Sequence, residues 1–459
     1  MIDVSVLEEP LLEFGYSATH PEQRAGIIAH GPADIEMEGR CERIRVGLVG
    51  EVKAVEEVQD YLKACAGGVN AKTSELRELF PEFPGCRAKV GFCARLAFPK
   101  HAKRAMSRSL LRGLAAAEGD DERIHAGVEL CAQEVNRLLE HAEVDVVVLA
   151  RPSGIPDGVG DHERVGQNFH DLLKAALIAT PTPIQIIRPV TWRGGAGVED
   201  PATRAWNLFS ALFYKAGGKP WRLHSSRSEP TRCFVGVSFT RVSAGGELFA
   251  SVAQVFNELG DGVIVRGGIA THGEHDRQPH LSREDAQALL RDALERYRAV
   301  HKNLPATVTL HKTSSFADEE VAGFLAAAEA GPLECELVWL TSSDEAMVMR
   351  EAHTYPPLRG TLVTLSEDEH LLYTHGSVPY YKTYPGLYVP RPLGLRPRLI
   401  ERPVQEVARE ILSLTKLNWN RARMGARLPI TLLTARSVGE ILRHVPSSVP
   451  AASQYAKYM

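Results

Sequence analysis

Apolar positions along the chain fall into patterns that alternate between strand and helix. Residues 43–49 (Arg43, Ile44, Arg45, Val46, Gly47, Leu48, Val49) read as a half-buried strand, and Val52, Val55, Val58, Leu62 and Cys65 then share one stripe of a helix. A second strand is expected over 89–93, followed by a long helical stretch over 122–141. The run 143–150 is rich in valine and continuously apolar from Val146 to Ala150, as in a strand covered on both faces within a parallel sheet. A helix over 168–178 and a strand over 183–188 continue the alternation, which predicts a doubly wound α/β unit ending near Pro230. A second unit opens with a strand over 232–239. Helices are expected in it over 247–259, 282–300 and 317–329, with strands over 307–311 and 336–340. Short strands fill 360–390, and helices over 404–415 and 436–444 close the pattern. Residues 1–40, punctuated by Pro10, Gly15, Pro21, Gly31 and Pro32, read as an extended arm. The division expected is therefore an arm over 1–40, one unit over 41–230 and another over 231–459.

A chain of 459 residues that is 44% apolar is long enough for two or three packed domains. No segment approaches eighteen consecutive apolar residues, and the first ten carry acids where a signal peptide carries basic groups, so no membrane association is expected. Cysteines 41, 65, 86, 93, 131, 233 and 335 form no CxxC pair, which suits reduced thiols and a cytoplasmic location. The net charge of −4 hides a polarity: residues 1–40 hold eight acids against two arginines, while 391–459 hold twelve Lys/Arg against four Glu. The C-terminal third therefore has the charge to follow a phosphate backbone, or to solvate one face of its helices.

Four polar residues of the first unit stand out. His170 and Lys174 are four apart on an expected helix and share a face. Gln185 lies mid-strand between Ile184 and Ile186, where a long amide needs a partner, and Lys215 ends a helical run just before Ala216-Gly217-Gly218, a stop signal. Two cations and an amide brought together would cradle a phosphate, although each residue taken singly is more often a surface charge or a satisfied strand amide. A competing signal lies at 271–280, where His272, His275 and His280 accompany Glu274 and Asp276. This is a metal-dependent hydrolase or nuclease in the alternative reading, and a solvated loop in the simpler one, because no helical spacing fixes the ligands on one face. The arginines at 391, 396, 398 and 402, preceded by Tyr380, Tyr381, Tyr384 and Tyr388, suit nucleic-acid backbone contacts or a protein partner about equally.

The spacing His170-x3-Lys174, then Gln185, then Lys215-Ala-Gly-Gly resembles the guide-binding motif of the MID domain of Argonaute proteins. Landmarks of the PIWI domain that follows in that family are present at 414–420 and 427–436, and 7–15 looks like the opening of the short prokaryotic Argonautes, which lack the N and PAZ domains. The resemblance implies a Rossmann-like MID domain at 41–230 and an RNase H-like PIWI domain at 231–459. It implies that His170 stacks on the terminal base while Lys174, Gln185 and Lys215 hold the 5′-phosphate. By the same resemblance the terminal carboxylate of Met459 shares a Mg2+ ion with that phosphate.

Active relatives hold two divalent metals with a set of carboxylates. Here Gly236-Val237 is followed by Ser238, Thr313 takes the second aspartate's place, and Arg436 follows Ala435 where the last ligand is expected. Two hydroxyls and a guanidinium do not replace three ligands, so no nuclease activity is expected. The family pattern then implies a guide RNA, a complementary DNA target and no cleavage. It further implies a separate effector carrying an APAZ domain with a TIR, sirtuin-like or nuclease domain, in defence against plasmids or phage. Oligomerisation on activation stays open.

Overall fold

The valine-rich run is buried on both faces as its composition requires. The structure is a computed structural model that describes residues 2–156, 168–224, 230–241, 248–257, 262–273, 276–329, 331, 333–342, 346–349, 356–386, 388–446 and 448–459. Strand Val146–Ala150 lies between Arg43–Glu51 and Ile184–Ile187, parallel to both, in a five-stranded sheet whose outer members are Arg95–Ala97 and Lys103–Met106. Successive side chains of a strand point to opposite faces. Val147 and Leu149 accordingly pack with Ile124, Val135 and Leu138 of helix Asp120–Leu139 and with Phe169 and Leu173 of helix Phe169–Ala176. Val146, Val148 and Ala150 meet Val55, Val58 and Leu62 of helix Val52–Ala66, and Trp206 and Phe209 of helix Pro201–Lys215. Helices thus cover both faces, as the alternation predicted.

The second sheet is built on strand Arg232–Arg241. On one side it pairs antiparallel with Leu248–Asn257, which in turn pairs antiparallel with Gly262–Val265. On the other side it pairs parallel with Thr307–Lys312, and that strand parallel with Glu334–Ser342. Three antiparallel strands followed by two parallel ones, the first in the middle, is the expected RNase H-like order. Strands Leu393–Leu399, His370–Leu372, Thr361–Thr364 and Asp3–Val6 extend the far edge. Helix Ile430–Leu442 crosses strand Arg232–Arg241 so closely that a Cβ on Gly236 would stand 2.2 Å from the carbonyl oxygen of Thr431. Glycine is therefore obligatory there.

Three local expectations are corrected. The helix expected over 247–259 is the strand Leu248–Asn257. Its apolar spacing fits either period, and nine residues of antiparallel register with the preceding strand decide it. The strand expected over 89–93 shrinks to Val90–Gly91, paired only with Cys86–Arg87, and the sheet is joined instead by the short strands at 95–97 and 103–106. Residues 2–40 are not a free arm. Asp3–Val6 extends the large sheet, Leu12–Glu13 pairs with Thr19–His20 and Arg222–Leu223, and Gln23–His30 is a helix capped by the Glu22 carboxylate. Glu9 is clamped by buried Arg359 at 3.0 Å and buried Lys416 at 2.9 Å. Those two cations hold its carboxyl below its usual range although burial pushes it up. Glu9 and Glu22, two of the eight acids counted in this segment, are thus partners for buried cations.

One apolar core serves both sheets. It runs from Leu12 and Phe14 through Val46, Trp206 and Phe213 to Phe234, Ile264, Trp419, Ile430, Tyr455 and Met459. Among the described residues no helix is long and apolar enough to cross a membrane.

Candidate nucleic-acid interface

Each lysine of the proposed cradle is placed by a helix terminus. Helix Phe169–Ala176 starts at Asn168, whose side-chain oxygen accepts from the Asp171 amide at 2.8 Å, and Lys174 falls one turn later in its last turn. Lys215 is the last residue of helix Pro201–Lys215, which ends in a Schellman motif: the Gly217 amide donates to Tyr214 O at 3.0 Å and the Gly218 amide to Phe213 O at 2.9 Å. Gly217 has φ +89, which explains the glycine in Lys-Ala-Gly-Gly. The end of this helix is also pinned from the second sheet, because Trp419 stacks on Tyr214 at 4.5 Å with an interplanar angle of 5°. The Trp419 indole donates to Trp221 O at 3.1 Å, so the tryptophan in the 414–420 landmark holds the residue next to Lys215.

Both ammonium groups reach the same carbonyl. Lys174 Nζ donates to Ile184 O at 2.5 Å and Lys215 Nζ donates to it at 3.2 Å. Lys215 also donates to Gln185 Oε1 at 2.6 Å and to a main-chain oxygen of Met459 at 3.0 Å. Lys174, Gln185, Lys215 and Met459, spread over nearly three hundred positions, thus meet at one point. His170 lies on the same helix one turn before Lys174, half exposed, with Nδ1 2.8 Å from Asp171 Oδ1. It flanks the cluster and, among the described residues, makes no hydrogen bond with either lysine.

The electrostatics of the cluster are unbalanced. Lys174 is 2% exposed and Lys215 4%. Burial pushes Lys174 down to about 7 against the pull of Asp171. Burial and then the charge of Lys174 push Lys215 well below its ordinary value. Asp171 is the carboxylate acting on Lys174, and it is already engaged by His170 and Asn168. Among the described residues neither buried amine forms an ion pair with an Asp or Glu side chain.

The oxygens of Gln185 and Met459 are the hard type that Mg2+ accepts. They are the oxygens that would hold such an ion beside a phosphate, so the residues fit the Mg2+ expectation.

At the second sheet, Ser238 follows Val237, which is paired with Lys312, so Ser238, inside strand Arg232–Arg241, comes next to Thr313, just past the end of strand Thr307–Lys312. Ser238 is buried, Thr313 is exposed, and Arg436 is exposed on helix Ile430–Leu442. Among the described residues no group of three His, Cys, Asp or Glu side chains is arranged to hold a metal ion. In the 272–280 segment, His275 and Glu274 lie outside the described residues. Both ring nitrogens of His280 are engaged, Nδ1 with Glu320 at 3.0 Å and Nε2 with Asp276 at 3.0 Å. Buried Glu320 also pairs with buried Lys312 at 2.5 Å, so this histidine belongs to an internal network with no nitrogen turned outward.

The arginines singled out at 396–402 spend their charge within the chain. Arg396 pairs with Glu369, Arg398 with Asp318, and Arg402 with Glu336 and Glu410. Cations that sequence reasoning passed over are more available: Arg421, Arg423 and Arg427 are exposed in the loop before helix Ile430–Leu442 and make no side-chain hydrogen bond or ion pair among the described residues. Their spacing just after the 414–420 landmark was the signal to follow. Arg421 shares a cavity of about 360 Å3 with Gln185, Arg188 and Arg204, so a basic path leads out of the lysine cluster.

No family model and no curated protein matches the chain. Solved structures do. The Clostridium butyricum Argonaute bound to a guide DNA with a 5′ deoxycytidine and a 19-mer target DNA superposes with a TM-score of 0.71 at 16% identity, covering 98% of this chain and 54% of that one. The A. aeolicus Argonaute gives a TM-score of 0.59 at 16% identity, with 97% and 54% covered. The Aa-Ago structure with externally bound siRNA gives 0.60 at 15% identity, with 98% and 54% covered. Nearly all of this chain is matched by about half the length of those proteins. The chain has the Argonaute fold, with a doubly wound sheet followed by an RNase H-like one.

Proposed function

We propose that the protein holds the 5′-phosphate of a guide strand in the Lys174–Gln185–Lys215 cluster and presents that strand for pairing with a complementary target. The observation that carries this reading is two buried lysines converging on one carbonyl, neither of them in an ion pair with an Asp or Glu side chain among the described residues. A terminal phosphate would restore both ammonium charges, and its three oxygens would accept the donors now shared with Ile184, Gln185 and Met459. His170, at the mouth of the cluster, stacks on the terminal base. Oxygens of Met459 and Gln185 would hold Mg2+ there, which would supply further positive charge. Sequence is then read by base pairing, with the protein gripping backbone and shape. The fold neighbours support the binding of a guide and a target strand, because one of them carries a guide DNA and a target DNA. For this chain the guide is proposed to be RNA and the target DNA.

The protein is proposed not to cut the target, because Ser238, Thr313 and Arg436 stand where metal-binding carboxylates would be needed. It acts in the cytoplasm through a second polypeptide with an APAZ domain joined to a TIR, sirtuin-like or nuclease domain. That partner is switched on by target pairing, in defence against invading plasmids or phage. The direct test is to extract and sequence nucleic acid that co-purifies with the wild type and with Lys174→Ala/Lys215→Ala. Short 5′-phosphorylated strands are expected on the wild type alone; equal recovery from both removes the cluster as their binding site. Sustained cleavage of matched targets with Mg2+ or Mn2+ by the single chain, lost on His272→Ala, would restore the metal-hydrolase reading.

A further inference from the structure

A second cavity, of about 370 Å3, opens between the loop 374–386, the loop 421–427 and the start of helix Pro201–Lys215, a size typical of small-ligand sites. Two arginines in its wall are saturated. Arg24 bonds Glu22, Leu79 O and Tyr381, and Arg359 bonds Glu9, Thr374 O, Leu412 O and Thr415. Arg423 is not: its guanidinium makes no hydrogen bond or ion pair among the described residues, and burial followed by the nearby Arg421 disfavours its charge. Lys72 sits 3.2 Å from the ring centroid of Phe80 and likewise makes no ion pair among the described residues. The carboxylates at the rim are occupied. Asp200 caps its helix through Thr203 at 3.1 Å, and Glu199 accepts from Asn207 at 2.8 Å. Deeper in, burial and the charges of Arg359, Arg423 and Arg427 hold His375 down to about 4, so its ring is neutral, and it is already hydrogen-bonded to the Gly425 backbone.

The lining therefore combines flat apolar surface (Phe80, Tyr384, Met424), a neutral imidazole, and two cations, Arg423 and Lys72, that form no ion pair among the described residues although Glu199 lies near Arg423. A purely apolar ligand would leave Arg423 and Lys72 uncompensated, and a bare phosphate would leave the ring surfaces uncovered. A planar heterocycle joined to a phosphate satisfies both. The cavity also adjoins the basic path from the lysine cluster, because Val198 and Glu199 line both cavities and Arg421 lines the one that reaches Gln185.

We propose that this cavity receives a single unstacked nucleotide, its base against Phe80 and Tyr384 and its phosphate at Lys72 and Arg423. The nucleotide belongs either to the strand whose 5′ end the lysine cluster holds, in which case the proposal rests on the function above, or to a free mononucleotide. Base–aromatic stacking sets the expected effect at about tenfold in affinity.

The test uses the full chain and 5′-phosphorylated oligonucleotides in which one abasic position is moved through the first eight nucleotides. Affinities are measured for wild type, Phe80→Ala and Arg423→Gln, alongside calorimetric titration with AMP. Phe80 is half-buried and Arg423 exposed, so both variants should keep the wild-type melting temperature and its preference for 5′-phosphate over 5′-hydroxyl ends. One abasic position is expected to weaken wild type about tenfold and to have no effect in Phe80→Ala. A flat scan with AMP binding that both substitutions weaken assigns the cavity to the free nucleotide. A flat scan with AMP binding absent, or equal in all three proteins, overturns the proposal; a retained preference for 5′-phosphate then leaves the lysine cluster standing. If no strand binds at all, the functional reading falls and the AMP titration alone decides the cavity.

Discussion

Replacing Lys174 by methionine should move stability and strand binding in opposite directions. In the empty protein the Lys174 ammonium is fully enclosed beside Lys215, and its pKa falls from 10.5 to about 7. A drop of that size corresponds at most to about 5 kcal/mol of lost solvation at neutral pH. Methionine keeps most of the hydrocarbon stem and abandons one donor to Ile184 O, which retains Lys215 at 3.2 Å. Exchanging buried charge for apolar volume typically returns about 1–4 kcal/mol. The empty Lys174→Met protein should therefore melt a few degrees higher than wild type, roughly 2–4 °C per kcal/mol and less in so large a chain. A charge-assisted hydrogen bond to phosphate is worth about 1.5–3 kcal/mol, so affinity for a 5′-phosphorylated strand should drop about 10- to 150-fold. Affinity for the same strand with a 5′-hydroxyl should barely change. Melting curves and fluorescence anisotropy on both strands read out both arms. A lower melting temperature in the empty variant, or equal losses for the two strands, would show that Lys174 is an ordinary structural lysine.

Other outcomes follow from the same geometry. The folded, empty protein binds fewer protons at Lys174 than the unfolded chain between about pH 7 and 10.5, so its stability should rise with pH across that window. A bound phosphate restores the ammonium, so affinity for 5′-phosphorylated ends should be about tenfold weaker at pH 8 than at pH 6 by isothermal titration, with little change for 5′-hydroxyl ends. Gly217→Ala, at φ +89, should cost about 1 kcal/mol in a denaturant titration and, by shifting Lys215, weaken 5′-phosphate discrimination. Trp419→Ala removes a fully buried ring and should cost about 3–5 kcal/mol, with the 5′-phosphate preference lost before the fold is. Glu9→Ala leaves Arg359 and Lys416 buried without their carboxylate and should cost about 3–5 kcal/mol in the same titration.

The sequence made visible whatever depends on local pattern. The valine run at 146–150, the helix at 283–301 opened by Ser282, and the Lys-Ala-Gly-Gly stop at 215–218 each carry their own signal, and each stands where it was expected. What depends on a distant partner was not legible. Leu248–Asn257 is a strand because another strand lies beside it, and no window of its own residues says so. The same holds for charge. Arg402 looked available in a basic stretch and is tied to Glu336 and Glu410, while Arg423, no different in local composition, faces a cavity with its guanidinium unpaired. Partnership between charges is fixed by tertiary packing, which period and propensity do not encode. For that reason the cluster residues were found through spacing and family resemblance, and the second cavity only through coordinates.

The continuous apolar core has a consequence for how a strand gets in. Phe213 and Trp206 from the first sheet's helix share one interior with Phe234, Trp419 and Ile430 from around the second, so the helix end that carries Lys215 is packed from both sides. A phosphate proposed to reach Lys174 and Lys215 would meet groups already set by that packing. The amines are consequently held in place before any phosphate arrives, and the entropic cost of gathering them is met during folding, not during capture.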